Sequence, residues 1–157
     1  MVFLWPVRVY YEDTDSGGVV YYANYLKFLE RARSEWLRAL GFEQDQLLDQ
    51  YGVIFAVRRV ELEYLRPARF NDQLHATVEV MELGGASLTF KQQVVRLEQP
   101  VPWAGAAHKI TTSELEQQGF TRVCSGVIQI ACLDGQRLRP RRLPGHVADR
   151  LSVENRA

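Results

Sequence analysis

Asp13 and Asp15 stand two residues apart in Tyr10-Tyr11-Glu12-Asp13-Thr14-Asp15-Ser16-Gly17-Gly18, and by type and spacing they are the residues of this chain best suited to chemistry. A carboxylate with a reference pKa of about 3.9 is ionised at neutral pH, so it can serve as an oxygen nucleophile, a general base or a ligand to a hard cation. A calcium loop of the EF-hand type beginning at Asp13 needs an oxygen side chain where Gly17 stands and a glutamate where Asn24 stands, and it fails at both. A magnesium-dependent aspartyl phosphohydrolase suits the Asp-x-Asp spacing but needs alternating strands and helices, which the rest of the chain does not offer. The structural reading is that a carboxylate just before a helix caps it or favours its positive end, worth about 0.5–2 kcal/mol. On residue type alone the structural reading is the stronger.

The elements around the aspartates are one long helix among strands. Tyr25, Phe28, Leu29, Ala32, Trp36, Ala39 and Leu40 recur at offsets of three and four, with Lys27, Arg31, Arg33, Glu35 and Arg38 largely outside that stripe and Gly41 as the stop. This predicts a helix of about four turns. A shorter helix is expected over Gln44 to Gln50. Upstream, residues 3–12 alternate, with Val7, Val9 and Tyr11 on one face and Arg8, Tyr10 and Glu12 on the other. Downstream, Val60, Leu62 and Tyr64 alternate toward Pro67, and Leu74, Ala76, Val78 and Val80 alternate up to Gly84-Gly85. Leu88 to Leu97 forms the next strand. The last, about 121–133, places Cys124, Gly126, Ile128, Ile130 and Cys132 on one face and stops at Asp134-Gly135.

The glycine pair predicts a hairpin, through the positive φ that tight primed turns require. Strand, helix and four further strands without intervening crossover helices imply an α+β fold, an antiparallel sheet of about five strands wrapped around the long helix. Residues 98–119 interrupt this order and read as an insertion carrying a short strand or a helical turn. No repeat or linker divides the chain, so 1–157 is expected to form one domain.

Composition narrows the function. The 157 residues carry 19 Lys plus Arg against 19 Asp plus Glu, so no overall basic field attracts nucleic acid. The apolar start before Pro6 and Arg8 is too short for a signal peptide, and no run approaches a membrane span, so a cytoplasmic location is expected. Cys124 and Cys132 are separated by roughly 26 Å if the strand between them is unbroken, far beyond disulfide reach. They are expected to be free, buried and structural.

The stretch VRVYYEDTDSGGVVYYANYLKFLERARSEWL, a strand ending EYLRPARFND and a C-terminal RPRRLP together resemble the Tol-Pal-associated acyl-CoA thioesterases, a branch of the hot-dog hydrolases that includes 4-hydroxybenzoyl-CoA thioesterase. The likeness covers nearly the whole chain apart from residues 98–119. It implies the hot-dog fold, in agreement with the element order above, and hydrolysis of an acyl-CoA to free acid and CoA. It makes Asp15 the catalytic carboxylate, nucleophile or general base, and Asp13 a supporting loop residue. Tyr22 becomes the backbone N–H that polarises the thioester oxygen, with Gly17 and Gly18 letting chain and substrate approach closely. Many relatives carry histidine where this chain has Tyr22, and a phenol of pKa near 10 cannot shuttle protons in the same way at neutral pH.

No cofactor and no metal are implied. His75, His108 and His146 lack the spacing of a ligand set. Arg58, Arg59, Arg66, Arg69, Arg137, Arg139, Arg141 and Arg142 are candidates for the phosphates of CoA, none assigned individually. Glu30, Arg31 and Arg33 match the family pattern, where a buried or subunit-bridging ion pair explains them as well as catalysis does. The resemblance further implies a homodimer or homotetramer and, by resemblance only, a link to acyl carrier protein or cell-envelope machinery. The competing reading is a non-catalytic module that binds acyl-CoA or an acyl carrier. A hot-dog dehydratase would be expected to use a histidine, and neither the aspartate loop nor the long helix holds one.

Overall fold

The structure, a computed structural model, describes residues 1–99 and 108–156, the last by its backbone alone. Strand β1 (Val2–Arg8) and a 3-10 turn at Tyr11–Asp13 lead into helix α1 (Asn24–Ala39) and helix α2 (Gln44–Tyr51). Strands β2 (Val53–Tyr64), β3 (Gln73–Leu83), β4 (Ser87–Leu97) and β5 (His108–Ile110), helix α3 (Thr112–Gln118), strand β6 (Phe120–Asp134) and helix α4 (Gly145–Arg156) complete the order. The strands form one six-stranded antiparallel sheet in the order β2-β6-β4-β3-β1-β5. Helix α1 lies across β3, β1 and β4. This is the hot-dog arrangement expected from the sequence, with one strand more.

Packing follows the apolar stripe. Tyr25, Phe28, Leu29, Ala32, Trp36 and Leu37 of α1 are buried against Phe3, Val7, Ala76, Val78, Phe90, Val94 and Ile128 of the sheet. Ala39, placed on the stripe by periodicity, is exposed, and Leu37 takes its share. Helix α4, in a C-terminal segment for which the sequence predicts no element, buries Val147 and Leu151 in the same core. On the other face of the sheet Val2, Leu4, Val95, Leu97 and Leu115 form a second cluster. Helix α3 roofs it, held by a capping box in which Thr111 and Glu114 exchange hydrogen bonds. The segment read as an insertion thus supplies both a strand, β5 at the sheet edge, and a helix; residues 100–107 of it lie outside the described residues.

Three boundaries depart from the sequence expectation. Strand β1 ends at Arg8 rather than running on to residue 12, because the Asp13 carboxylate accepts the Tyr10 N–H at 2.8 Å and turns the chain out of the sheet. Tyr11, expected on the inner face, is 79% exposed. Strand β2 begins at Val53, well before Val60, since a bulge between Val57 and Arg59 shifts the alternation by one residue and hides the continuity from a period-two reading. The β3–β4 hairpin is present, but neither Gly84 nor Gly85 has positive φ. The constraint at Gly84 is contact: a Cβ there would lie 2.4 Å from Ser87 Oγ.

Candidate active site

The aspartates sit on a small hairpin between β1 and α1. Thr14 bridges Val20, Asp15 N–H donates to Val19 O at 3.0 Å, and Gly18 N–H donates to Asp15 O at 3.0 Å. The turn tip needs Gly18, whose φ is +76°. Asp15 Oδ1 accepts the Gly17 N–H at 2.9 Å, the local bond by which Asp and Asn stabilise turns, and a Cβ on Gly17 would press on that oxygen at 3.3 Å. One carboxylate oxygen is therefore fixed by the loop; the other has no hydrogen-bond partner among the described residues, and the side chain is exposed. The rest of the hairpin is tied down through Val20 N–H to Ala68 O at 2.8 Å and a bridge from Val19 to Arg69.

Asp13 takes a different part. It is 9% exposed, its carboxylate is occupied by Tyr10 N–H, and its carbonyl accepts from both Tyr21 N–H and Asn24 Nδ2, each at 2.9 Å. It fastens the hairpin to the start of α1.

Neither aspartate caps α1. Its N-cap residue is Ala23, with no side-chain cap, and Tyr22 N–H has no acceptor among the described residues. The positive end of a four-turn helix is thus open beside an anchored carboxylate. The Tyr21 phenol pKa is raised, first by hydrogen bonding with the Tyr22 side chain and by that group's charge, then by burial and least by the charge of Asp15. Tyr22 is 61% exposed and meets Tyr64 edge-on at 6.2 Å between ring centres; Tyr25 lies 5.7 Å from the same ring.

Residues 17–102, which include α1 and the sheet strands β2 to β4, match the thioesterase superfamily model. The chain belongs to the thioesterase superfamily. It is 39% identical over 143 residues to the acyl-CoA thioester hydrolase YbgC of Escherichia coli O157:H7, covering 91% of this chain and 90% of that one. With the acyl-CoA thioesterase YbgC of Haemophilus influenzae it shares 36% identity over 145 residues, 92% and 90% of the two chains. Among solved structures, a probable thioesterase from Bartonella henselae superposes with a TM-score of 0.74 at 30% identity, covering 92% of this chain and all of that one.

Within this thioesterase fold, residues of α1 and β2 line two separate openings, one where the helix start meets the end of β2 and one where the helix end meets the start of β2. At the helix start a groove is lined by Val20, Tyr22, Tyr25, Tyr64, Leu65, Arg66 and Pro67. At the other end a cavity of about 120 Å³ lies among Trp36, Leu37, Phe55, Val57, Phe90 and Ile130, with Glu30 and Arg33 in its wall. Tyr64 and Tyr25 escaped the sequence reading because their spacing serves a strand and a helix stripe equally well. Asn24, which ties α1 to Asp13, left a signal: a polar residue opening an apolar helix.

The remaining candidates scatter. Arg141 faces Asp134 at 3.4 Å, and with Arg137, Arg139 and Arg142 it lies at the end of β6 beside the start of β2. Arg66 lines the aromatic groove at the helix start, and Arg58 and Arg59 lie on β2. His75 is buried on β3 against His108, and His146 stacks beside Tyr51 and Phe42. Both cysteines are free and buried, and burial lifts the Cys124 thiol to about 11, which keeps it protonated and inert.

Proposed function

We propose that this chain hydrolyses acyl-CoA thioesters at the N-terminal end of α1, with Asp15 as the catalytic carboxylate and Tyr22 N–H as the donor to the carbonyl oxygen. The observation that carries this reading is the pairing of an exposed, loop-anchored carboxylate with an uncapped helix start. A thioester carbonyl docked there gains stabilisation as its oxygen becomes negative, and the thiolate is a good leaving group needing no acid of its own. Asp15 then either attacks the carbonyl carbon, expelling CoA thiolate and leaving an acyl-aspartyl anhydride that water cleaves, or takes a proton from a water that attacks in its place. Both routes use the same ionised oxygen. A burst of CoA ahead of acid release marks the anhydride route.

The names of the two YbgC relatives support the substrate class. The edge position of β2 supports a dimer: it is long, carries the exposed apolar residues Val57, Val60 and Tyr64, and ends the sheet without a partner among the described residues. Two copies pairing their β2 edges antiparallel would bring the arginines at one copy's β6 end toward the other's Tyr64 and Tyr22, where the CoA phosphates would lie. The deciding experiment is release of free thiol from a short-chain, a long-chain and an aromatic acyl-CoA by the purified protein. Turnover of at least one, lost in D15N, is expected. Binding of all three without turnover would overturn the reading and leave an acyl-CoA-binding module.

A further inference from the structure

We propose, on the reading of the site given above, that the acyl group this chain accepts ends in a carboxylate: the substrate is the mono-CoA thioester of a dicarboxylic acid, and Arg33 receives its far end. Arg33 lies in the wall of the cavity between α1 and β2, otherwise made by Trp36, Leu37, Phe55, Val57, Leu88 and Phe90 among others, and it forms no ion pair among the described residues. Burial pulls its pKa down, and the charge of Glu30 offsets this only in part. Buried charges are ordinarily matched by an opposite charge, because the lost hydration is otherwise uncompensated.

What Arg33 does have is a neutral anchor. Its Nη1 donates to Gln92 Oε1 at 2.9 Å, and Gln92, itself fully buried, spends its own Nε2 on Leu29 O and Thr77 O at 3.1 Å each. This ties α1 to the sheet and holds the guanidinium at the cavity while leaving its charge unmatched. Glu30 is the one acidic residue in the cavity wall; it is exposed and accepts from Ser34 Oγ at 2.9 Å. It stands toward solvent and does not neutralise the inner end.

Position then links the cation to the thioester. The cleft at Tyr22 and Tyr64 lies where the start of α1 meets the end of β2, and the cavity at Arg33 lies where the end of α1 meets the start of β2. Along the helix, Arg33 lies ~14 Å beyond Asn24, and its side chain leans back toward the helix start. An acyl chain of medium length, its carbonyl at Tyr22 N–H and its chain laid along α1, presents its terminal carboxylate to a planar donor suited to receive it.

The test compares hexanoyl- with adipyl-CoA, octanoyl- with suberyl-CoA and decanoyl- with sebacyl-CoA, using the intact protein in its native oligomeric state. For at least one length the carboxylate-ended member should exceed its partner in kcat/KM by about tenfold to a hundredfold, the size of one charge-assisted bond. In R33M that ratio should fall to about one, and if R33M fails to fold, R33Q, which drops the charge but keeps a donor toward Gln92, should show the same fall. Alkanoyl thioesters turned over as well as their carboxylated partners at every length would overturn the proposal. So would an R33M variant that loses the oligomer on sedimentation with the ratio unchanged, since the cation would then serve a contact between copies. Hydrolysis of none of the thioesters would instead overturn the reading of the site. Thermal protection by free adipate, suberate or sebacate, absent with hexanoate and lost in R33M, checks the anion subsite without turnover.

Discussion

Replacing Asp15 by asparagine keeps the oxygen that accepts Gly17 N–H, since asparagine stabilises the same turn, and removes only the charge. D15N should therefore retain its melting temperature and circular dichroism while thioester hydrolysis falls to background; residual turnover above about a tenth would remove Asp15 from the chemistry. Asp13 predicts the opposite pattern. Asp13→Ala leaves the Tyr10 N–H without its acceptor and should cost about 1 kcal/mol in denaturant unfolding, whereas Asp13→Asn keeps an acceptor and should be mild. Tyr22 separates side chain from backbone. Tyr22→Phe retains the N–H and the ring and should keep most activity. Tyr22→Pro deletes the donor, and losing one such donor typically costs about 2.7–4 kcal/mol of transition-state stabilisation, a hundredfold to a thousandfold in rate. Thermal melting checks that the proline variant is folded; equal inactivity of both folded variants would make the phenol the essential group.

Among the elements, the contact between β3 and β5 carries a pH dependence. His75, 5% exposed on β3, is held down to about 4, first by burial and then by the neighbouring His108. Because the folded value lies below the unfolded one near 6.5, the unfolded chain binds the extra proton. Stability is therefore full above about pH 6.5 and declines as the pH falls toward 4. A loss on the order of 2 kcal/mol by pH 4.5 is expected from this group, read as the difference between wild type and His75→Gln in urea unfolding across that window. Parallel curves for the two proteins would show that His75 does not set the dependence. On the neighbouring interior strand, the Arg33–Gln92–Leu29 chain of hydrogen bonds sets α1 against β4, so one buried amide governs both the helix position and the cavity beside it.

For the whole molecule, the proposed dimer uses the β2 edge, which has no strand partner among the described residues. A two-fold pairing of β2 would cover the exposed Val57, Val60 and Tyr64 and would supply a second wall to the groove at the helix start. Val60→Arg places a charge on that edge at a position already 37% exposed, so the monomer should fold normally. Sedimentation should show a smaller species, with kcat/KM reduced at least tenfold at the same protein concentration. An active wild-type monomer at micromolar concentration would refute the shared site.

The sequence by itself determined the long helix, the strands that follow it and the aspartate loop, because these are local: an apolar stripe of period 3.6, alternation of period two and turn glycines are each written within a few residues. It also determined the family, through motifs carried in one continuous stretch. It did not determine where β2 begins, because a bulge erases the alternation it depends on. Nor did it show that α4 belongs to the core: Val147 and Leu151 are two apolar residues in a polar segment, and only the open sheet face over them makes them buried. The two aspartates look alike in sequence. Tertiary structure alone separated them, giving Asp13 buried partners from β1 and α1 and leaving Asp15 one free oxygen at an uncapped helix end. The meeting of Tyr22 with Tyr64 and of Arg33 with Gln92 was likewise decided by the fold, since each joins residues far apart in the chain, and no local pattern encodes which side chains a sheet and a helix bring together.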